Sequence, residues 1–286
     1  MNRWVLGARP RTLPAAVVPV LVGTATAAGG GITWWRAGVA MVVALAIQVA
    51  TNYANDYADG IRGTDDVRVG PVRLVASRLA SPSEVKRAAL LAGVVAAAAG
   101  LTLVPAVGPE VIVIGAASLA AGYLYTGGPR PYGYAGLGEV FVFLFFGVVA
   151  TTGSSYVQLD QITLLALAAS VPVGFLATAL LVVNNLRDIR TDGAAGKRTL
   201  AVRVGEPATR ALYGGLVVGA FLMVPVLAIR RPLALLALLA LPLAVRPLRT
   251  VSGTASGRAL LPALADTGRL SLGFGALLAA GLALSA

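Results

Sequence analysis

The chain contains no cysteine and no histidine. The first absence excludes disulfides and thiolate nucleophiles. The second removes the commonest general base and any imidazole ligand for zinc or haem. Charge is also scarce: Asp, Glu, Lys and Arg make up 12% of the 286 residues, against about 25% in soluble proteins. What is present is apolar, with 57% hydrophobic residues and a mean hydropathy of +0.82. These values describe an integral membrane protein, and its glycine and alanine excess suits close helix packing in lipid. With sulfur and imidazole ligands missing, a metal would be bound by oxygen, which points to magnesium or manganese.

A spanning helix needs about 20 apolar residues. Nine segments qualify: 12–29, 34–57, 83–104, 109–126, 137–157, 162–186, 207–228, 232–250 and 265–285. Pro242 and Pro247 interrupt the eighth. The expected fold is all-α, a multi-pass transmembrane bundle of about nine helices. No extramembrane stretch is long enough for a second domain, so residues 1–286 read as one domain. Arg9 and Arg11 ahead of an apolar run, with Ala25-Thr26-Ala27 after it, resemble a signal peptide. The segment is expected to be retained as a span.

The net charge is +11. If the N-terminus is cytoplasmic, the inside connections and the helix ends beside them carry every Lys and Arg except Arg36, Arg230 and Arg231, out of 23. This is a strong positive-inside bias. It predicts a cell-membrane protein, inner or plasma, in contact with lipid and with its active-site loops on the cytoplasmic face. The basic residues lie in short loops with no soluble module to present them, so nucleic acid is not an expected partner.

Two acidic segments end long apolar runs: Asn52-Tyr-Ala-Asn55-Asp56-Tyr-Ala-Asp59 and Asn184-Asn185-Leu-Arg187-Asp188-Ile-Arg-Thr-Asp192. Carboxylates that close to a bilayer are costly and are usually kept for function. Residues four apart on a helix differ by about 40° and three apart by about 60°. Asn52, Asp56 and Asp59 thus form one polar stripe, and Asn184, Asp188 and Asp192 another. Two facing stripes suit magnesium ions that carry a diphosphate, because Mg²⁺ takes one or two carboxylates plus phosphate oxygens and waters. Each cluster runs into a glycine-rich basic loop, from which Arg68, Arg73, Lys197 and Arg198 are candidates to neutralise phosphate. Gly196-Lys197-Arg198-Thr199 lacks the upstream glycines of a Walker A loop. A third patch, Tyr123 to Tyr134 on the same side, offers Tyr125 and Tyr132 as aromatic faces for a carbocation and Arg130 as a further cation. Glu139 follows as a further acceptor.

These segments resemble the UbiA-type intramembrane prenyltransferases, which carry an Asn-Asp-x-x-Asp motif after the second helix and an Asp-x-x-x-Asp motif after the sixth. The matching residues are Asn55-Asp56-Tyr-Ala-Asp59, with Asp65 further on, and Asp188-Ile-Arg-Thr-Asp192. The runs Arg9-Pro10-Arg11-Thr12-Leu13, Gly70-Pro71-Val-Arg73 and Tyr125-Thr-Gly-Gly-Pro129-Arg130-Pro131-Tyr132-Gly-Tyr134 are similar to the menaquinone-pathway branch, which acts on 1,4-dihydroxy-2-naphthoate. The resemblance implies a polyprenyl diphosphate donor, the naphthoate acceptor and loss of CO₂ and diphosphate. It assigns Asp56, Asp59, Asp188 and Asp192 to magnesium, and Arg68, Arg73, Lys197, Arg198 and Arg130 to the diphosphate. Asn52 and Asn184 would orient phosphate or metal-bound water, Tyr125 or Tyr132 would hold an allylic cation, and Asp65 or Asp66 would orient an acceptor hydroxyl. Arg78 stands where such sequences are expected to carry a small residue such as glycine. The competing readings are another aromatic acceptor, a cation-coupled transporter and a structural scaffold. Clustering of the acidic residues at one membrane face, beside basic loops, argues against transport.

Overall fold

A computed structural model describes residues 2–64, 70 and 72–286. Ten helical elements position the site: α1 (Arg3–Ala8), α2 (Pro14–Thr26), α3 (Trp34–Ile61), α4 (Pro82–Leu101), α5 (Glu110–Leu124), α6 (Gly138–Leu159), α7 (Leu164–Ala194), α8 (Leu200–Ala228), α9 (Pro232–Ser252) and α10 (Gly257–Leu284). Among the described residues seven are long and apolar enough to cross a membrane, and a bent pair, Arg3–Thr12 with Pro14–Thr26, makes up to eight. Helix α5 is apolar but shorter. All nine segments expected from the sequence are helical over most of their length, and the fold is an all-α membrane bundle.

Local chemistry sets the helix ends. Ser81 and Glu84 form a reciprocal capping box ahead of Pro82 at the start of α4. Thr163 and Thr199 accept backbone N–H groups at the starts of α7 and α8. In α8 a short helical stretch from Leu200 breaks at Gly205, at φ +82°, and the long helix resumes ahead of Pro207, where the sequence places the span. In α9, Pro242 lies in the first turn of the α-helical half, Leu241–Ser252, which follows a 3₁₀ stretch over Pro232–Ala240. It starts a helix instead of interrupting one, as a residue that needs no N–H partner can.

The core sits around α7. Its most apolar window is 72% buried, against 11% for α4. Leu176, Ala179, Val182 and Val183 of α7 pack with Val217, Ala220 and Val224 of α8, and with Phe274 and Leu278 of α10. Helix α4 instead turns Leu90, Leu91, Val94 and Val95 outward. A helix so poorly covered by protein is suited to lipid as its outer solvent. Backbones meet where side chains are absent. A Cβ on Gly147 of α6 would lie 2.5 Å from Cα of Gly174 in α7. Beside this contact, Phe143–Val149 forms a π-helical stretch within α6.

Candidate active site

The acidic segments lie inside helices, near the C-terminal ends of α3 and α7. They meet at one end of a cavity of about 510 Å³. Its polar end is lined by Asn52, Asn55, Asp59, Arg73, Asn184, Asn185, Asp192 and Lys197, with Arg9, Thr12 and Gln48 alongside. The rest is an apolar arm between α3, α4, α5 and α6 that includes Ala96, Gly100, Ile112, Leu119, Phe145 and Val149.

Asp59 is fully buried. Its Oδ1 accepts a hydrogen bond from Tyr134 at 2.8 Å, while its Oδ2 lies 3.4 Å from Lys197 Nζ and 3.8 Å from Arg73. Lys197 therefore links the loop after the second acidic segment to the carboxylate of the first. Asn52 donates to the Ala8 carbonyl at 2.9 Å and to Thr12 Oγ1 at 3.1 Å. Arg9 donates to the Asn52 carbonyl at 3.2 Å. These bonds tie α1 and the start of α2 to the site. Asn55 Oδ1 accepts from Thr126 at 2.7 Å, and Asn185 donates to Glu139 at 3.0 Å. As a result α5, α6 and α7 are all fastened to the same polar end.

Asp56 and Asp188 are buried, but neither lines the cavity. Asp56 accepts from the backbone N–H groups of Leu74 at 2.8 Å and Val75 at 3.1 Å, which pins the returning loop that carries Arg73. Asp188 receives Arg187 through two bonds of 2.8 and 2.5 Å. Arg130 and Arg198 are exposed and stand outside the cavity wall. Asp65, Asp66 and Arg68 lie outside the described residues.

Tyr125 and Tyr132 both line the cavity. Their rings meet edge-on at 5.5 Å, Tyr132 stacks on Phe141 at 4.0 Å, and Phe141 continues to Phe145 at 6.1 Å. This row of aromatic faces leads from the polar end into the apolar arm. Burial pushes the Tyr132 phenol above its ordinary range. A tyrosine phenol is neutral at physiological pH in any case, so both residues present rings rather than phenolates. Sequence reasoning assigned no role to Arg9, Thr12, Gln48, Asn55, Asn185 or Tyr134. Asn55 and Asn185 were legible as neighbours on the motif helices. Gln48 is one turn before Asn52, to which it donates at 3.4 Å.

The donor set fits a hard divalent cation. Carboxylate oxygens of Asp59 and Asp192 and side-chain amides of four asparagines share one pocket with three cations, Arg9, Arg73 and Lys197. Among the described residues no three carboxylates gather into a ready-made metal cage. Magnesium needs only one or two carboxylates when phosphate oxygens complete its shell. The pocket thus suits a metal that arrives with its phosphate ligand.

An all-α membrane bundle with a charged pocket opening into an apolar arm defines an intramembrane protein with an amphipathic cavity. The chain belongs to the UbiA prenyltransferase family, whose signature matches residues 16–258. It is 51% identical over 267 residues to the 1,4-dihydroxy-2-naphthoate octaprenyltransferase of Mycobacterium tuberculosis, covering 93% of this chain and 91% of that one. To the Escherichia coli protein of the same description it is 35% identical over 281 residues, covering 92% and 89%. Among solved structures, a UbiA homolog from Archaeoglobus fulgidus bound to DMAPP and Mg²⁺ superposes with a TM-score of 0.68 at 15% identity, covering 97% of this chain and 99% of that one.

Proposed function

We propose that the protein transfers a polyprenyl group from a polyprenyl diphosphate to 1,4-dihydroxy-2-naphthoate. CO₂ and diphosphate are released, and demethylmenaquinol forms for menaquinone biosynthesis. The observation that carries this reading is the joining of both acidic segments and two buried cations at the mouth of one apolar arm. That shape suits a diphosphate head with an isoprenoid tail. The two octaprenyltransferase relatives support the acceptor. The chain acts as a single membrane domain, and its Lys and Arg distribution favours a cytoplasmic polar end.

Asp59 and Asp192, with the neighbouring asparagine amides, would hold magnesium, and Asp56 and Asp188 brace the elements that carry them. Bound magnesium supplies charge neutralisation for the leaving diphosphate. Arg73 and Lys197 add fixed positive charge where negative charge develops, and such pre-set charge favours the transition state over the ground state. Asn52 and Asn184 orient phosphate oxygens. The faces of Tyr125 and Tyr132 stabilise the allylic cation, and the stacked ring of Phe141 keeps Tyr132 in place. The apolar arm shields the cation from water. The acceptor ring is already nucleophilic through its two hydroxyls, so the absence of histidine is no obstacle. Asp65 or Asp66 orients an acceptor hydroxyl, and Arg68, Arg130 and Arg198 attract the diphosphate from the loops.

The test is mass spectrometry of products from purified protein, dihydroxynaphthoate and a series of prenyl diphosphates, with and without Mg²⁺. Prenylated, decarboxylated naphthoquinol is expected only when Mg²⁺ is present. Full turnover in EDTA, or product only with a different aromatic acceptor, would overturn the reading.

A further inference from the structure

Tyr134 lies behind the cavity wall, not in it. It nonetheless hydrogen-bonds the first acidic segment and lies under the lysine that follows the second. A phenol has a single proton, and a carboxylate can only accept. The 2.8 Å contact with Asp59 Oδ1 is therefore a donation by Tyr134. The 2.9 Å contact with Thr64 must then be a donation by the threonine hydroxyl. A directed chain results, Thr64 to Tyr134 to Asp59, in which each bond polarises the next. Two cations lie over the ring of the same tyrosine, Lys197 Nζ at 5.2 Å from its centroid and the Arg62 guanidinium at 5.4 Å. Arg62 in turn donates to the carbonyls of Thr126 and Gly128, which fixes the loop that carries Tyr134 to the end of α3.

We propose that Tyr134 is a positioning residue that sets the geometry of the diphosphate pocket. Its hydroxyl fixes the rotamer of Asp59 so that Oδ2 faces the cavity, and its ring seats Lys197 opposite that oxygen. The two acidic segments share no direct contact through this tyrosine; it aligns a carboxylate from the first with an ammonium following the second. Lys197 carries three donors and meets Asp59 at the long distance of 3.4 Å, so it retains donors for phosphate oxygens. Tyr132, two residues earlier, has a different task, since its hydroxyl goes to the Ala121 carbonyl at 2.8 Å and its ring faces the cavity.

This inference rests on the proposed diphosphate chemistry. Its test uses the full chain in detergent, as wild type, Tyr134→Phe and Tyr134→Leu. The first readout is the thermal shift produced by Mg²⁺ with inorganic pyrophosphate, which needs no turnover. The second is the KM for prenyl diphosphate and for acceptor. Losing a hydrogen bond to a carboxylate costs on the order of a tenfold change in an equilibrium constant. Tyr134→Phe should therefore need roughly tenfold more Mg²⁺ and pyrophosphate for half the wild-type shift, with the donor KM raised and the acceptor KM unchanged. Tyr134→Leu should weaken binding further, because the seat of Lys197 is gone. The inference fails if Tyr134→Phe matches wild type in pyrophosphate binding, or if donor and acceptor KM rise together while pyrophosphate binding is retained. A wild type that shows no shift with Mg²⁺ and pyrophosphate overturns the diphosphate reading itself, a result distinguishable from a variant that behaves like a responsive wild type.

Discussion

Lys197 stands 3.4 Å from Asp59, although 138 residues separate them. The pair brings both acidic segments to one point, and both groups are buried. Removing Lys197 leaves Asp59 with Arg73 alone, at 3.8 Å, and removing Asp59 takes from Lys197 its carboxylate partner. Lys197→Ala and Asp59→Asn should each lower kcat/KM for the prenyl diphosphate by about 10²–10³, the range for loss of one pre-set transition-state charge. Steady-state kinetics checks this. The double variant should fall well short of the product of the two losses, because partners in contact are not additive.

Asp56 tells a different story from Asp59, one helical turn away. Its two oxygens serve the backbone of Leu74 and Val75. In Asp56→Asn one oxygen is replaced by an amide group that cannot accept, which sets donor against donor. The buried mismatch should cost about 1–3 kcal/mol. It should appear as a lower melting temperature without any metal or substrate, alongside lost activity through Arg73. An unchanged melting temperature with abolished activity would instead assign Asp56 to direct metal binding.

Arg78 has φ +57° and an exposed side chain. The left-handed region costs an L-residue about 1–2 kcal/mol, and glycine enters it freely at the expense of a looser unfolded chain. Arg78→Gly should gain about 0.5–1 kcal/mol after that offset. Arg78→Ala should gain nothing, because it keeps the strain. Thermal unfolding of the two variants decides, and turnover should be the same in both.

The spans were legible because lipid imposes length and composition on every helix that crosses it. The acidic segments were legible for the related reason that buried charge is costly without a task. Arg78 was legible as a misfit, and the backbone supplies the cause. The division of labour between Asp56 and Asp59 was not legible. Helical spacing places them on adjoining faces, but only the returning loop at Leu74 decides which face meets the cavity. The π stretch was hidden because Phe143-Leu-Phe-Phe-Gly-Val-Val149 reads as ordinary apolar helix, and the close approach of Gly147 to Gly174 beside it joins residues from two different helices. Tyr134 was hidden because its partners, Asp59 and Thr64 at the end of α3 and Lys197 after α7, are all distant in sequence.

Helix α4 contributes Ala96, Ala97, Gly100 and Leu101 to the cavity while leaving most of its own surface without protein cover. One side of the cavity thus has little protein behind it, and a surrounding amphiphile would supply that backing. Extracted from a bilayer, the protein would keep its α7-centred interior yet lose lateral support for the apolar arm. Catalytic competence would then follow the thickness and acyl packing of the host membrane, while resistance to unfolding would not.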